Sequence, residues 1–429
     1  MPETVDLLLL GAGQLLTCAG GGPRRGAGLD DPGLVTNGAV AASGGRILAA
    51  GTEDEVLSSI EGITPGRTID AGGRVVMPGW VDPHTHAVFA GFRADEYEYR
   101  IRGEGYLEID RKGGGIKRSV RELRETGEER LFELSRRRVM RMLAQGVTTL
   151  EIKSGYGLDL ESELKQLRVV RRLGEETPLD IVATFLGAHH KPPEVSGEAY
   201  VRTVTDEMIP AVAEKGLAEF IDVFCEEGVF DVDETRTILE AGRRHGLGLK
   251  VHADEIFALG GTELAVKMKA ASVEHLVKVT GSGIEALAGS STIAVLLPGT
   301  TFGLASREFA PARRMIESGV AVALSTDFNP GSAPSSSMPL TVALACSQMR
   351  MTPAEAVSAA TINAACAIGM EGAVGSLERG KKADMVVYDV EDFREIPSRA
   401  GEDHAVLVIK EGKVVAEVRD YRERSEVGL

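Results

Sequence analysis

The chain has 429 residues, 43% hydrophobic and 26% charged, enough for a large core and, at about 150 residues per domain, for two or three domains. A (β/α)8 unit departs from that rule, since it takes about 250 residues by itself. Against 64 Asp and Glu there are only 48 Lys and Arg, a net charge of −16 with no stripe of clustered base, which argues against a nucleic-acid partner.

At the amino terminus the apolar run Leu7–Leu10 follows Glu3 and Asp6, where a signal peptide would carry basic residues. The run is also too short to span a bilayer, so neither export nor a membrane is expected. Residues 1–75 read as short strands broken by glycine: Val5–Leu10, a Gly-rich loop at Ala19–Gly33, then Gly38–Ala42 and Arg46–Ala50 joined by Ser43-Gly44-Gly45, a hairpin signal.

The texture changes over residues 76–370, where apolar runs alternate with charged stretches of helical period. The strand candidates are Val75–His84, Val147–Lys153, Ile181–Ala188, Phe220–Cys225, Leu249–Ala253, Ser272–His275, Ile293–Leu297 and Val320–Thr326. Glu128–Ala144, Glu161–Glu175 and Asp233–His245 are helices between them, with apolar residues at three- and four-residue spacing. Eight such units predict a (β/α)8 TIM-like barrel. Residues 371–429 return to strands at Ala383–Asp389, Ala405–Ile409 and Lys413–Val418, the last two across Glu411-Gly412. The two β-rich ends are expected to form one small β-sandwich domain from both termini. Cys18, Cys225, Cys346 and Cys366 lie far apart with no CxxC pair, which opposes a disulfide framework or thiolate metal site and fits a reducing cytoplasm.

Barrel enzymes build their sites at the carboxyl ends of the strands. Here those ends carry His84, His86, Tyr156, His189, Glu226, His252 with Glu255, His275 and Asp327. Five of the eight histidines fall in this ring, which scattered surface histidines would have no reason to do. Alternate residues of an extended segment project to one side, so His84 and His86 of His84-Thr85-His86 can reach one ion. An HxH pair by itself is also common on solvated strands. His252 and Asp327, at the ends of distant strands, complete a metal set of three imidazoles and a carboxylate. Such ligands suit zinc, with iron or manganese as alternatives.

Glu255 lies three residues beyond His252, where it can take a proton from water beside the metal and pass it to a leaving nitrogen; otherwise it is a charge at a helix amino terminus. His275 would lie in the next strand end, facing the attacking water or a substrate oxygen, or else be a satisfied core residue. Gly113-Gly114-Gly115 lacks the Lys-Ser/Thr of a phosphate loop and reads as a mobile lid or turn. Tyr106, before it, is a weaker substrate candidate.

Val76-Met77-Pro78-Gly79-Trp80-Val81-Asp82-Pro83-His84-Thr85-His86, Ser325-Thr326-Asp327 and Gly375-Ser376-Leu377-Glu378-Arg379-Gly380-Lys381-Lys382-Ala383-Asp384 resemble the first-strand, eighth-strand and closing motifs of the amidohydrolase superfamily. Many relatives bridge two metals with a carboxylated lysine after the fourth strand. This chain has Cys225-Glu226-Glu227 there, so the resemblance implies a single metal, similar to the cytosine deaminase-like branch, with Lys153 structural or supporting.

Within the superfamily, Phe89-Ala90-Gly91-Phe92-Arg93 with Glu96, Glu151-Ile152-Lys153-Ser154-Gly155-Tyr156-Gly157-Leu158, Phe185-Leu186-Gly187-Ala188-His189 and Asp327-Phe328-Asn329-Pro330-Gly331-Ser332 resemble the imidazolonepropionase family. That resemblance implies one Zn2+ or Fe ion per chain, 4-imidazolone-5-propanoate as the small-molecule substrate, and a homodimer. It further implies that Arg93 pairs with the substrate carboxylate, as a planar guanidinium fork suits. Without the resemblance Arg93 reads as a surface ion pair with Asp95 or Glu96. Tyr156 is implied to contact substrate, His189 to donate to the ring carbonyl with His190 facing away, and Asn329, Gly331 and Ser332 to bind ring nitrogens or the product amide. The alternatives are a mononuclear deaminase of a nucleobase-like heterocycle and a non-catalytic amidohydrolase-like scaffold.

Overall fold

A computed structural model describes residues 4–103 and 113–417; Tyr106 and Val418 lie outside them. Strands β1 (Leu7–Leu16), β2 (Leu34–Ser43), β3 (Arg46–Thr52), β4 (Arg67–Asp70) and β5 (Val75–Pro78) open the chain. The barrel follows as β6 (Trp80–Asp82), β7 (Val147–Lys153), β8 (Asp180–Ala188), β9 (Phe220–Cys225), β10 (Gly248–Ala253), β11 (Ser272–His275), β12 (Ile293–Leu296) and β13 (Val322–Leu324). Three strands, β14 (Met385–Tyr388), β15 (Ala405–Lys410) and β16 (Lys413–Glu417), complete it.

The terminal strands form one mixed sheet, ordered β16-β15-β14-β5-β1-β2-β3, with β4 also pairing β1. It wraps over its own apolar face, because the amide of Ile47 in β3 bonds to Lys381 O and that of Ala383 to Gly45 O. Leu7, Leu9 and Val40 thereby share a core with Met385, Val387 and Leu407. The expected hairpin and the two-ended domain are both present; β4 has too few apolar residues to be read as a strand from sequence.

The expected strand Val75–His84 is two strands. Val75–Pro78 pairs with β14 and β1 in the terminal sheet, and Trp80–Asp82 pairs with β7 in the barrel. The break is at Gly79, where a Cβ would stand 2.3 Å from Thr148 Oγ1, so only glycine lets the chain cross between sheets. Trp80 lies buried just beyond, its indole N–H donating to Tyr388 Oη at 2.5 Å and joining barrel to terminal sheet.

The eight barrel strands are parallel and in chain order. Helices fill the connections as their caps direct: Asp159 accepts from Ser162 N at the start of Leu160–Glu176, and Asp231 with Glu234 forms a capping box before Val232–Arg244. Side chains complete closure between the last strand and the first. Buried Asp82 accepts from Thr326 N at 3.1 Å, Thr326 Oγ1 at 2.6 Å and the Ser325 hydroxyl, while Thr85 and Phe328 form a parallel bridge. No helix among the described residues is long and apolar enough to cross a membrane.

Candidate active site

The barrel's carboxyl end encloses a cavity of about 240 Å³ lined by His86, Arg93, Arg100, Tyr156, His189, Phe224, His252, Glu255, His275, Asp327, Asn329 and Ser332 among others. Nearly every site residue read from sequence therefore meets at one place. His84 lies buried behind this wall, its ring 4.5 Å from that of His252 and 5.3 Å from that of His86.

Ligand atoms of His84, His86 and Asp327 lie within 4.8 Å of one another, as do those of His84, His252 and His275. Asp327 Oδ1 is 3.3 Å from His84 Nε2 and 3.5 Å from His86 Nε2. Nε2 of His252 is buried with no hydrogen-bond partner, and that of His84 has only the Asp327 carboxylate beside it. Buried polar atoms left unpaired are costly, and a cation held by these lone pairs removes that cost. The donor set therefore fits a metal ion.

Behind the ligands lies a layer of buried charge. Glu274 receives Nδ1 of His84, and Asp222 Oδ2 is 2.9 Å from Nδ1 of His252, which turns both Nε2 atoms toward the cavity. Lys153 Nζ lies 2.7 Å from Glu151, 2.8 Å from Asp222 and 3.0 Å from Glu274; Lys250 Nζ lies 3.3 Å from Glu151 and 3.1 Å from Glu274. Lys153, read from sequence as structural or supporting, thus lies behind the candidate ligands, among the carboxylates that touch them. Asp222, Lys250 and Glu274 were not anticipated. Their signal was present, a charge inside each of the apolar runs Phe220–Cys225, Leu249–Ala253 and Ser272–His275.

Burial, the largest influence, would lower the pKa of His84, but Glu274 and Asp327 together outweigh it and the ring rises to about 9. Asp327 is held at about 2: burial opposes ionisation, yet its contacts with His84, the nearby His275 and the Thr300 hydroxyl prevail. This is an environment built around a positive charge. Burial, with the charges of Asp327 and Glu226 beside it, lifts Glu255 to about 8. Its Oε2 is 3.6 Å from His275 Nδ1. Glu226 holds the loop that carries Glu255, accepting from Ile256 N at 2.9 Å and Phe257 N at 3.1 Å.

Tyr156 rides a loop clamped by buried Glu163, which accepts from Gly155 N, Gly157 N and Leu158 N at 2.7–3.0 Å. Gly155 has φ +106°, and a Cβ there would meet Leu186 O at 2.8 Å. His189 Nδ1 is 3.1 Å from Gly155 O. A carbonyl only accepts, so Nδ1 carries the proton; burial, and next His252, hold the pKa near 3, leaving the ring neutral. In that tautomer Nε2 is an acceptor, whereas the sequence reading has His189 donating to a ring carbonyl. His190 turns to its own loop, Nδ1 2.8 Å from Lys191 O.

Arg93 is buried, with Nε 3.0 Å from Glu96 Oε2 and Nη1 donating to Ser119 Oγ at 2.6 Å, so its ion pair with Glu96 lies inside the cavity wall and not on the surface. Arg138 seats the preceding loop by donating to Phe89 O and Ala90 O. In the last loop, the Asn329 amide is engaged with Asp327 O, Ser332 Oγ and Gly331 N, all within 3.0 Å, so it braces the loop beside the cavity. Gly331 meets the guanidinium of Arg93: a Cβ would stand 1.9 Å from Nη2. Gly113 and Gly115 take positive φ in a turn, with Gly115 N donating to Glu96 Oε1 at 2.8 Å.

The amidohydrolase family model matches residues 75–415. An imidazolonepropionase of Symbiobacterium thermophilum is 50% identical over 423 residues, 98% of this chain and 99% of that protein. One from Geobacillus kaustophilus is 51% identical over 409 residues, 94% of this chain and 96% of that protein. Among solved structures, a zinc-bound adenosine deaminase from Xanthomonas campestris has a TM-score of 0.73 at 18% identity, covering 96% of this chain and 93% of its own. Guanine deaminase from E. coli also scores 0.73, at 15% identity over 97% of this chain and 100% of its own. Those two likenesses are of fold.

Proposed function

The chain belongs to the amidohydrolase family and within it to the imidazolonepropionases, and we propose on that premise that it hydrolyses the ring amide of 4-imidazolone-5-propanoate to N-formimidoyl-L-glutamate, a step of histidine degradation. The supporting observation is a single cavity lined both by imidazoles with the carboxylates Asp327 and Glu255 and by the guanidinium groups of Arg93 and Arg100. A planar ring with a carboxylate tail matches both.

His84, His86, His252 and Asp327 hold one metal ion, zinc or iron by ligand type. When bound, it supplies Lewis acidity, lowering the pKa of water and polarising the ring carbonyl. Glu255 takes a proton from the water that adds to the carbonyl carbon, then returns it to the ring nitrogen as the C–N bond breaks. His275 orients Glu255 and that water. His189, through its acceptor Nε2, takes a hydrogen bond from a ring N–H. Arg93 receives the propionate, and Tyr156 with the Asn329, Gly331 and Ser332 loop closes around the ring.

A deaminase of a nucleobase-like heterocycle would use the same metal residues, but a neutral base has no anionic group for the arginines that line the cavity. Product analysis separates the two. Incubation with 4-imidazolone-5-propanoate is expected to yield formimidoylglutamate and no ammonia. Stoichiometric ammonia from an aminated heterocycle, with no ring opening of the imidazolone, would transfer the assignment to the deaminase.

A further inference from the structure

Arg93 does not line the cavity as an isolated charge. Three ionic groups are buried together here: Arg93, Glu96 and Arg100. Glu96 sits 3.0 Å from Arg93 Nε, so that pair carries no net charge, and an incoming carboxylate would meet Glu96 as well as Arg93. Arg100, one turn along the same helix from Glu96, also lines the cavity. Its Nε donates to Glu96 O at 3.2 Å and its Nη2 to Gly331 O at 3.1 Å, both neutral carbonyls. Neither bond neutralises it, and the carboxylate that acts on it among the described residues, Glu96, is already paired with Arg93.

We propose that Arg100 supplies the net positive charge that selects a substrate with an anionic side chain. Arg93, Glu96 and Arg100 sum to +1, and the propionate brings the buried group to zero. The carbonyl of Gly331 fixes Arg100 while the missing side chain of Gly331 leaves room for Arg93, so one residue seats both guanidinium groups on the same ligand. The spacing Glu96-x-x-x-Arg100 is by itself that of an ordinary i,i+4 helix pair, and only burial beside Arg93 sets it apart.

This inference rests on the substrate reading above, so its test compares 4-imidazolone-5-propanoate with the corresponding neutral propanamide. Wild type, Arg100→Gln and Arg100→Lys are assayed on both, with bound metal measured in each. Gln keeps a donor for Gly331 O without the charge. For Arg100→Gln, KM for the propanoate is expected to rise at least about tenfold with kcat changed less than about threefold, the signature of lost uniform binding. The propanamide should lose less than about threefold, and Arg100→Lys should recover most of the propanoate KM. Equal losses on both substrates would overturn the inference in favour of loop support, and no loss on either would overturn it outright. Failure of the wild type to open the propanoate ring would instead remove the substrate reading, and this inference with it.

Discussion

Nζ of Lys153 stands 3.0 Å from Oε2 of Glu274, the same oxygen that receives Nδ1 of His84. The next carboxylate, Asp222, is 2.8 Å from that ammonium and orients His252 in turn. One buried lysine thus sets the aim of two candidate metal ligands, His84 just beyond β6 and His252 on β10. Lys153→Met is expected to weaken metal affinity by about 10–100-fold, the usual effect of losing such support. It should also destabilise the fold by about 3–5 kcal/mol, since three buried carboxylates lose a counter-charge. Chelator competition and thermal unfolding measure the two effects; unchanged metal affinity would refute the positioning role.

Metal analysis of purified protein should give about one equivalent per chain. His84→Ala or His252→Ala should abolish both metal and activity. Two equivalents, or full activity after exhaustive chelation, would rule out the mononuclear centre.

Glu255→Gln should keep the metal and lower kcat at least about a hundredfold, the size of an acid–base contribution. Burial, Asp327 and Glu226 raise its pKa to about 8 in the metal-free protein, and a bound cation pulls it down. A base acts when ionised, so kcat/KM should rise with pH through an apparent pKa below about 8. That limb should vanish in Glu255→Gln; a limb that persists with near-normal turnover would assign the proton transfer elsewhere.

Arg93→Ala should cost roughly 2–5 kcal/mol of productive binding of the propanoate and far less for the neutral propanamide. Gly331→Ala should reproduce that pattern in milder form, because the added methyl would stand 1.9 Å from Arg93 Nη2 and displace it. Steady-state kinetics on the substrate pair provide the check. Equal sensitivity of both substrates would mean that Arg93 does not read the carboxylate.

The sequence by itself determined the barrel, the two-ended β-domain and most of the chemically active residues gathered at the cavity. Strand period and strand ends are local, and a barrel turns the ends of all eight strands to one face, so His84, His86, His252 and Asp327 could be picked out before their distances were known. Tertiary structure decided what those residues touch. The layer of Lys153, Lys250, Asp222 and Glu274 comes from four strands, and its pairing depends on register, such as Lys250 beside Asp222 and His252 beside Glu274. The proton on His189 is set by Gly155 O, from a loop on another strand. Glu96 cancels the charge of Arg93 only because a helix brings both into the cavity wall, and Arg100 gains its place from Gly331, more than two hundred residues away. A local pattern determines which way a side chain points; charge balance is a sum over neighbours, and those neighbours are assembled by the fold.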